Sequence, residues 1–303
     1  MKVPLLVVVI GPTGVGKTPV AIQIATHFKT EIISADSRQM FRELPVGTAA
    51  PTLEEMKGVS HHFTGNLSVS EPMDAGQWAQ QARVKIEELF QKHDLVVCAG
   101  GSGLYVNALL NGMDELPGKD ENLREELGLE MEAQGIGSLQ EKLKKLDPEF
   151  YAEIDVNNPK RLIRAIEVCI LSGQKYSELR SGKNKELPFR VIKIGLDLPR
   201  EELYERINAR VDEMMKNGLE EEARSVLSHR NQNALATVGY REMFAYFDGE
   251  TTLSEAVELI KQHSRNYAKR QMTWWRKDGE IRWFHPGKMD EIISTIESEK
   301  TSG

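Results

Sequence analysis

At 303 residues, with 40% apolar and 28% charged side chains, the chain can bury one large core or two modest ones and has the composition of an ordinary globular protein. A net charge of −7 argues against a uniformly basic nucleic-acid binder, and only two cysteines, Cys98 and Cys169, both amid apolar neighbours, argue against a disulfide scaffold. No stretch approaches the roughly 18 apolar residues of a membrane span, and Met1-Lys2 leads into a core strand without a signal-peptide cleavage pattern, so a cytoplasmic protein with no membrane partner is expected.

The first predicted element is a buried parallel strand over Val3 to Ile10. It runs into "GPTGVGKT", residues 11 to 18, which fits G-x-x-x-x-G-K-[ST]. Gly11, Gly14 and Gly16 let backbone N–H groups turn toward one anion, Lys17 adds a charge, and Thr18 is a magnesium ligand. A helix follows, with Val20, Ala21, Ile24, Ala25 and Phe28 on one face and Pro19 tolerated in its first turn. The second strand, "EIISAD", ends at Asp36, and the third, "DLVVCAGG", runs to Gly101. Residues 116 to 189 break the α/β rhythm: they are charged and helical, and "SGKNKELP" (181 to 188) closes them like a loop. They read as an inserted all-helical subdomain between core segments 1 to 115 and 190 to 303. A fourth strand covers Arg190 to Leu198, after which the pattern is helical almost to a loose tail, "ESEKTSG".

Ligands of an open parallel sheet gather beyond the carboxyl ends of its strands. Those ends supply the phosphate loop, "ADSRQ" and "GGSGLY". An ATPase would place a magnesium-binding acid at the end of the third strand, but that strand finishes in Gly100-Gly101 and its only acid, Asp94, is at the other end. Asp36 is then the one carboxylate placed beside the phosphates, with a turn cap as its alternative role. A phosphate cradle with one carboxylate and no acid for water activation suits a reaction in which phosphate leaves and Asp36 deprotonates the incoming nucleophile. A nucleotide kinase activating a hydroxyl, or a non-catalytic RNA-binding module, would share the loop. The window 265 to 282 is locally basic, with Arg265, Lys269, Arg270, Arg276, Lys277 and Arg282 against Asp278 and Glu280, and it also holds Trp274 and Trp275.

Taken in order, "GPTGVGKT", "ISADSRQMFRELPVGTAAPT", "HHF", "GGSGLY", "NNPKRLIRAIEV", "LYERINARVDEMMKNGLEEEA", "VGYREM" and "YAKRQMTWWRK" resemble the tRNA dimethylallyltransferase (tRNA isopentenyltransferase) family over nearly the whole chain. The resemblance implies a P-loop NTPase-like α/β fold, a parallel sheet flanked by helices with the inserted helical subdomain binding tRNA. It implies transfer of a dimethylallyl group from dimethylallyl diphosphate to N6 of the adenosine 3′ of the anticodon, with Mg²⁺ required and a monomer acting on the anticodon stem-loop. The diphosphate would sit on Gly11, Pro12, Thr13, Gly14, Val15, Gly16, Lys17 and Thr18, with N–H groups of residues 13 to 18 meeting its charge and Ser102 and Arg210 reaching it. Arg210 has an ordinary helix-surface charge paired with Glu213 as its alternative. Asp36 would be the general base.

For tRNA, the resemblance points to Asp36, Ser37, Arg38, Gln39, Ser102, Arg124, the stretch Lys160, Arg161, Leu162, Ile163 and Arg164, and to Lys269, Arg270 and Gln271. In "NNPKRLIR", Asn158 reads as an N-cap and Pro159 as the first helical residue, so the bases oppose the helix dipole unless an anion binds or solvent covers them. Tyr267 and Trp274, seven apart, fit core packing. Gly14, Arg38, Ser102 and Ala50 depart from residues usual in the family, and "HHFTGNL" lacks an Asp often found there. Adjacent His61 and His62 point to opposite faces of an extended chain, which suits a structural role better than a metal site. An adenylate isopentenyltransferase is the nearest rival, though it has no need for two basic segments.

Overall fold

The computed structural model describes residues 3–114, 116–180 and 187–301. The apolar run Leu5–Ile10 forms strand β1, and all six side chains are buried. Leu6, Val8 and Ile10 enter one hydrophobic cluster while Leu5, Val7 and Val9 enter another. Successive side chains of a strand point to opposite faces, so a strand covered on both sides reads as an unbroken Leu/Val/Ile run.

Five more strands join it: β2 (Ile32–Ser34), β3 (His61–His62), β4 (Leu95–Gly100), β5 (Arg190–Leu196) and β6 (Arg282–Phe284). All pair in parallel, in the order β3-β2-β4-β1-β5-β6, and helices flank the sheet as the α/β reading expects. Two strands correct the sequence reading. β3 and β6 are margin strands of two and three residues, too short to show a period. They are fixed by contacts from afar: His62 Nε2 meets Glu31 Oε2 at 2.8 Å, and a Cβ added to Gly195 would lie 2.7 Å from the Trp283 ring. The tail is a second correction, because residues 297 to 301 continue the helix Met289–Thr301, which Ile292 and Ile296 anchor in the core. Of the expected loop 181 to 188, residues 181–186 lie outside the described residues.

The chain divides into two units, Met1–Leu110 with Glu186–Gly303, and Asn111–Lys185, where the sequence reading puts the insert at 116 to 189. The first holds the sheet. In the second, the helices Glu121–Gln134, Ile136–Leu146 and Pro159–Ser172 close around Leu127, Leu139, Leu143, Leu162, Ala165 and Ile166. Inside this unit Glu167 has a fully buried side chain that bonds Arg124 Nε at 2.7 Å and Arg164 Nη1 at 2.6 Å. Burial alone would raise the Glu167 carboxyl, but the two guanidinium groups and the Asp120 N–H outweigh it and bring it down to about 2.

Glu167→Ala is therefore expected to destabilise the helical unit by about 2–4 kcal/mol, since it leaves two cations facing a cavity. Because the folded-state carboxyl lies below its ordinary value of 4.5, the stabilisation is present above that pH and is lost as pH falls toward 2. Hydrogen exchange in helices 121–134 and 159–172 checks this: faster exchange in the variant at pH 7 is the expected result, and unchanged protection contradicts it.

Candidate active site

Ile10 pairs with Gly100 and Ser34 with Ala99, so three adjacent strands end at one level. Their carboxyl ends deliver the Gly11 loop, Asp36 and Gly101-Ser102 to one place. Packing there is tight, for a Cβ on Gly100 would lie 2.1 Å from the Ala35 carbonyl oxygen.

Gly16 is the N-cap of the helix Lys17–Phe28, with φ of +100° and no side chain to cap it. The helices Ala75–Phe90 and Leu253–Trp275 instead close capping boxes with Asp74 and Thr252. The first N–H groups of the phosphate-loop helix therefore point into the site without a side-chain partner, which suits an anion. The entry of the loop is fixed by Gln271, whose Oε1 accepts the Thr13 N–H and whose Nε2 donates to the Gly101 carbonyl, both at 2.8 Å. Val15 N–H turns back to the Pro12 carbonyl at 3.4 Å. That narrows the expected cradle of residues 13 to 18 to the N–H groups of Gly14, Gly16, Lys17 and Thr18.

Gln271, expected to face RNA, is buried as a brace of the phosphate loop, while Tyr267 and Trp274, expected in the core, are 37% and 46% exposed. The buried stripe of this helix runs through Ala268, Gln271 and Trp275, one position further along than the Tyr267 and Trp274 pair. Lys269 and Arg270 are exposed. Elsewhere in the basic window, Arg265 bonds Asn208 Oδ1 at 2.6 Å, Arg276 pairs with Asp197 at 2.6 Å, and Arg282 pairs with Glu299. Acids from distant segments thus offset much of the charge counted locally.

Lys17 Nζ donates to the Pro12 carbonyl at 2.7 Å. Loss of solvent lowers its ammonium to about 8, with nearby Asp36 opposing the shift and Arg210 adding to it. Asp36 Oδ1 accepts the N–H groups of Arg38 (2.9 Å) and Gln39 (3.3 Å), so it does cap its own turn. Ser102, 8% exposed, accepts the Ser37 N–H at 2.9 Å and donates to Ser37 Oγ at 3.2 Å. Its hydroxyl thus ties the end of β4 to the Ser37 turn. Gln39 Nε2, counted above among the tRNA residues, donates to the carbonyls of Thr48 (3.2 Å) and Ala49 (3.0 Å).

Two cavities, of about 630 and 670 Å³, share Thr13, Asp36, Thr48, Arg210 and Tyr267 as walls. The smaller is completed by Lys17, Thr18 and Gln39, and the larger by Ser37, Arg38, Arg241 and Arg270. Arg210 Nη2 donates to the Thr48 carbonyl at 3.1 Å, while its enclosed Nε has no partner. Burial lowers its pKa, against the pull of Asp36. Among the described residues it has no ion pair, which removes the surface pairing with Glu213. A shielded cation that lines both cavities is suited to an anion. Sequence reading missed Tyr267 and Arg241 as walls, although both lie in the quoted motifs "YAKRQMTWWRK" and "VGYREM".

No group of three or more His, Cys, Asp or Glu able to hold a metal occurs among the described residues. The Thr18 hydroxyl and the carboxylates of Asp36 and Glu55 do line the smaller cavity. A few oxygen donors beside an uncapped helix N-terminus fit Mg²⁺, a hard cation that takes oxygen ligands and keeps several waters.

In the helical unit, Asn158 caps the helix Pro159–Ser172 and Lys160 and Arg161 are exposed. The rest of the expected tRNA stretch is otherwise engaged. Leu162 is 0% exposed, Ile163 packs on the same core, and Arg164 and Arg124 are held by Glu167. Among the described residues no helix is long and apolar enough to cross a membrane.

The IPP transferase family model matches residues 39–278. A tRNA dimethylallyltransferase 1 of Bacteroides fragilis is 49% identical, covering 98% of this chain and 99% of its own length. A tRNA dimethylallyltransferase of Cytophaga hutchinsonii is 49% identical over 97% of each chain. Among solved structures, the full-length tRNA isopentenylpyrophosphate transferase of Bacillus halodurans aligns with a TM-score of 0.73 at 37% identity, covering 98% of this chain and 97% of that one. These matches run through the phosphate loop as well as the residues of the family model.

Proposed function

The chain belongs to the tRNA dimethylallyltransferase (IPP transferase) family, and from that membership we propose that it transfers the dimethylallyl group of dimethylallyl diphosphate to N6 of the adenosine 3′ of the anticodon in tRNA. The observation that carries the reading is the shared wall of the two cavities, where Asp36 and Arg210 stand between a phosphate-loop side and an arginine-lined side.

Diphosphate occupies the smaller cavity, on the N–H groups of Gly14, Gly16, Lys17 and Thr18, with the Arg210 guanidinium completing the cradle. The Thr18 hydroxyl would hold Mg²⁺, which would supply partial neutralisation of the diphosphate. The adenine, unstacked from the single-stranded anticodon loop, enters the larger cavity past Ser37 and Arg38. The N6–C bond forms as the allylic C–O bond breaks; the bonding electrons leave with diphosphate, and the N6 proton passes to Asp36. Lys160, Arg161, Lys269 and Arg270 contact the RNA backbone. The enzyme works as a cytoplasmic monomer.

Mass analysis of nucleosides after incubation with unmodified tRNA and dimethylallyl diphosphate tests the reaction: an adenosine heavier by one dimethylallyl substituent is expected, and unchanged nucleosides reject it. Removing Lys160 and Arg161 together should flatten the slope of log K against log salt by about one to two units, at about −0.7 per phosphate contact for single strands. The KM for an anticodon stem-loop should rise while kcat holds, because these side chains position RNA away from N6. A salt slope identical to that of the parent protein places the backbone contacts elsewhere, and equal kcat/KM for AMP and the stem-loop overturns the tRNA assignment.

A further inference from the structure

Glu222 lies in "GLEEEA", on the helix Leu219–Ser225, and lines neither cavity. Its carboxylate nevertheless takes three donors. Oε2 accepts the Val46 N–H at 2.7 Å, and Oε1 accepts the Gly47 N–H at 2.7 Å and the Tyr240 hydroxyl at 2.6 Å. Among the described residues it has no cationic partner, so these charge-assisted bonds carry its whole charge. Tyr240, from "VGYREM", is 0% exposed. The approach demands a glycine: a Cβ on Gly47 would lie 2.5 Å from the Tyr240 hydroxyl oxygen and 2.9 Å from Leu219 Cδ1.

The same loop meets the active site through its carbonyls. The Thr48 oxygen accepts Arg210 Nη2 at 3.1 Å and Gln39 Nε2 at 3.2 Å, and the Ala49 oxygen accepts Gln39 Nε2 at 3.0 Å. Ala49 holds φ at +43°, a conformation an alanine adopts only when its surroundings impose it. An anion thus grips the amide side of the turn while a cation is held on its carbonyl side, an arrangement in which each bond polarises the next.

From this geometry we infer that Glu222 is a positioning residue for the transfer reaction, acting through the 46–49 loop to set Arg210 and Gln39 against the phosphate cavity. The inference rests on the diphosphate role of Arg210 given above. Glu222→Gln keeps the side-chain shape but removes the charge and turns an NH₂ group toward a donor. It lowers kcat about tenfold and weakens binding of inorganic pyrophosphate by a similar factor, in the range lost when a hydrogen bond to a charged group is broken, with KM for tRNA unchanged.

The deciding readout is a double-mutant cycle with Arg210→Ala, scored by both kcat and pyrophosphate affinity. If Glu222 acts through Arg210, the double variant is no more than about twofold worse than Arg210→Ala alone. Additive losses, or Glu222→Gln within twofold of the parent protein in both readouts, overturn the inference. Should Glu222→Gln not fold, Tyr240→Phe removes one donor from the same carboxylate. It is expected to cost about threefold in the parent background and nothing further beside Arg210→Ala; an equal cost in both backgrounds also overturns it. Pyrophosphate binding needs no tRNA, so a parent protein that fails to prenylate RNA refutes the reaction while this arm still decides the role of Glu222.

Discussion

Asp36→Asn lowers kcat by about 10²-fold or more while tRNA affinity stays within about threefold of the parent protein, since general-base contributions are typically 10² to 10⁴. Asparagine is the informative substitution because Asp36 has two jobs. Its Oδ1 accepts the N–H groups of Arg38 and Gln39, and an amide oxygen can keep those bonds while accepting no proton from the adenine amine. Asp36→Ala removes both jobs and should be slower still, with a rise in KM for RNA as the Ser37 and Arg38 turn loosens. Single-turnover rates measured with saturating dimethylallyl diphosphate separate the two. A rate for Asp36→Asn within threefold of the parent protein would show that the carboxylate only caps its turn.

Lys17→Ala should slow transfer by about 10² to 10³, the cost of removing one preorganised donor from a developing oxyanion, and should weaken pyrophosphate binding in parallel. A pH signature accompanies it. In the free protein the Lys17 ammonium sits near 8, so it is charged below that pH and neutral above it. Pyrophosphate affinity therefore falls as pH rises through about 8, and Lys17→Ala flattens that limb. Folding stability runs the other way. Between about 8 and the ordinary 10.5 the unfolded chain binds more protons than the folded one, so the cost of enclosing this charge is full below 8 and disappears as pH rises across that window. The variant should then melt no lower than the parent protein at pH 7 and lack the rise between pH 8 and 10. Calorimetric titration and melting curves at three pH values check both signs; a parallel pH profile in parent and variant assigns the titration to another group.

Sequence alone determined what local chemistry can write. An unbroken apolar run made β1 a strand buried on both faces, glycines at fixed offsets made residues 11 to 18 a turn that opens onto a helix start, and the end of the second strand put Asp36 beside it. The ordered motifs were enough to point to the family. Tertiary structure decided which side chains are available for chemistry. Gln271 braces Thr13 across 258 positions of sequence, Arg210 reaches the Thr48 carbonyl across 162, and Glu222 reaches Val46 across 176. Arg124 and Arg164 read as free bases until Glu167 is seen between them, and the basic window loses charge to Asp197 and Glu299. The physical reason is the same in each case. Strand and helix periodicity is set by neighbours within a few residues, whereas a hydrogen bond or ion pair between distant segments is formed only when the packed core brings them within about 3 Å, and it leaves no period in the chain.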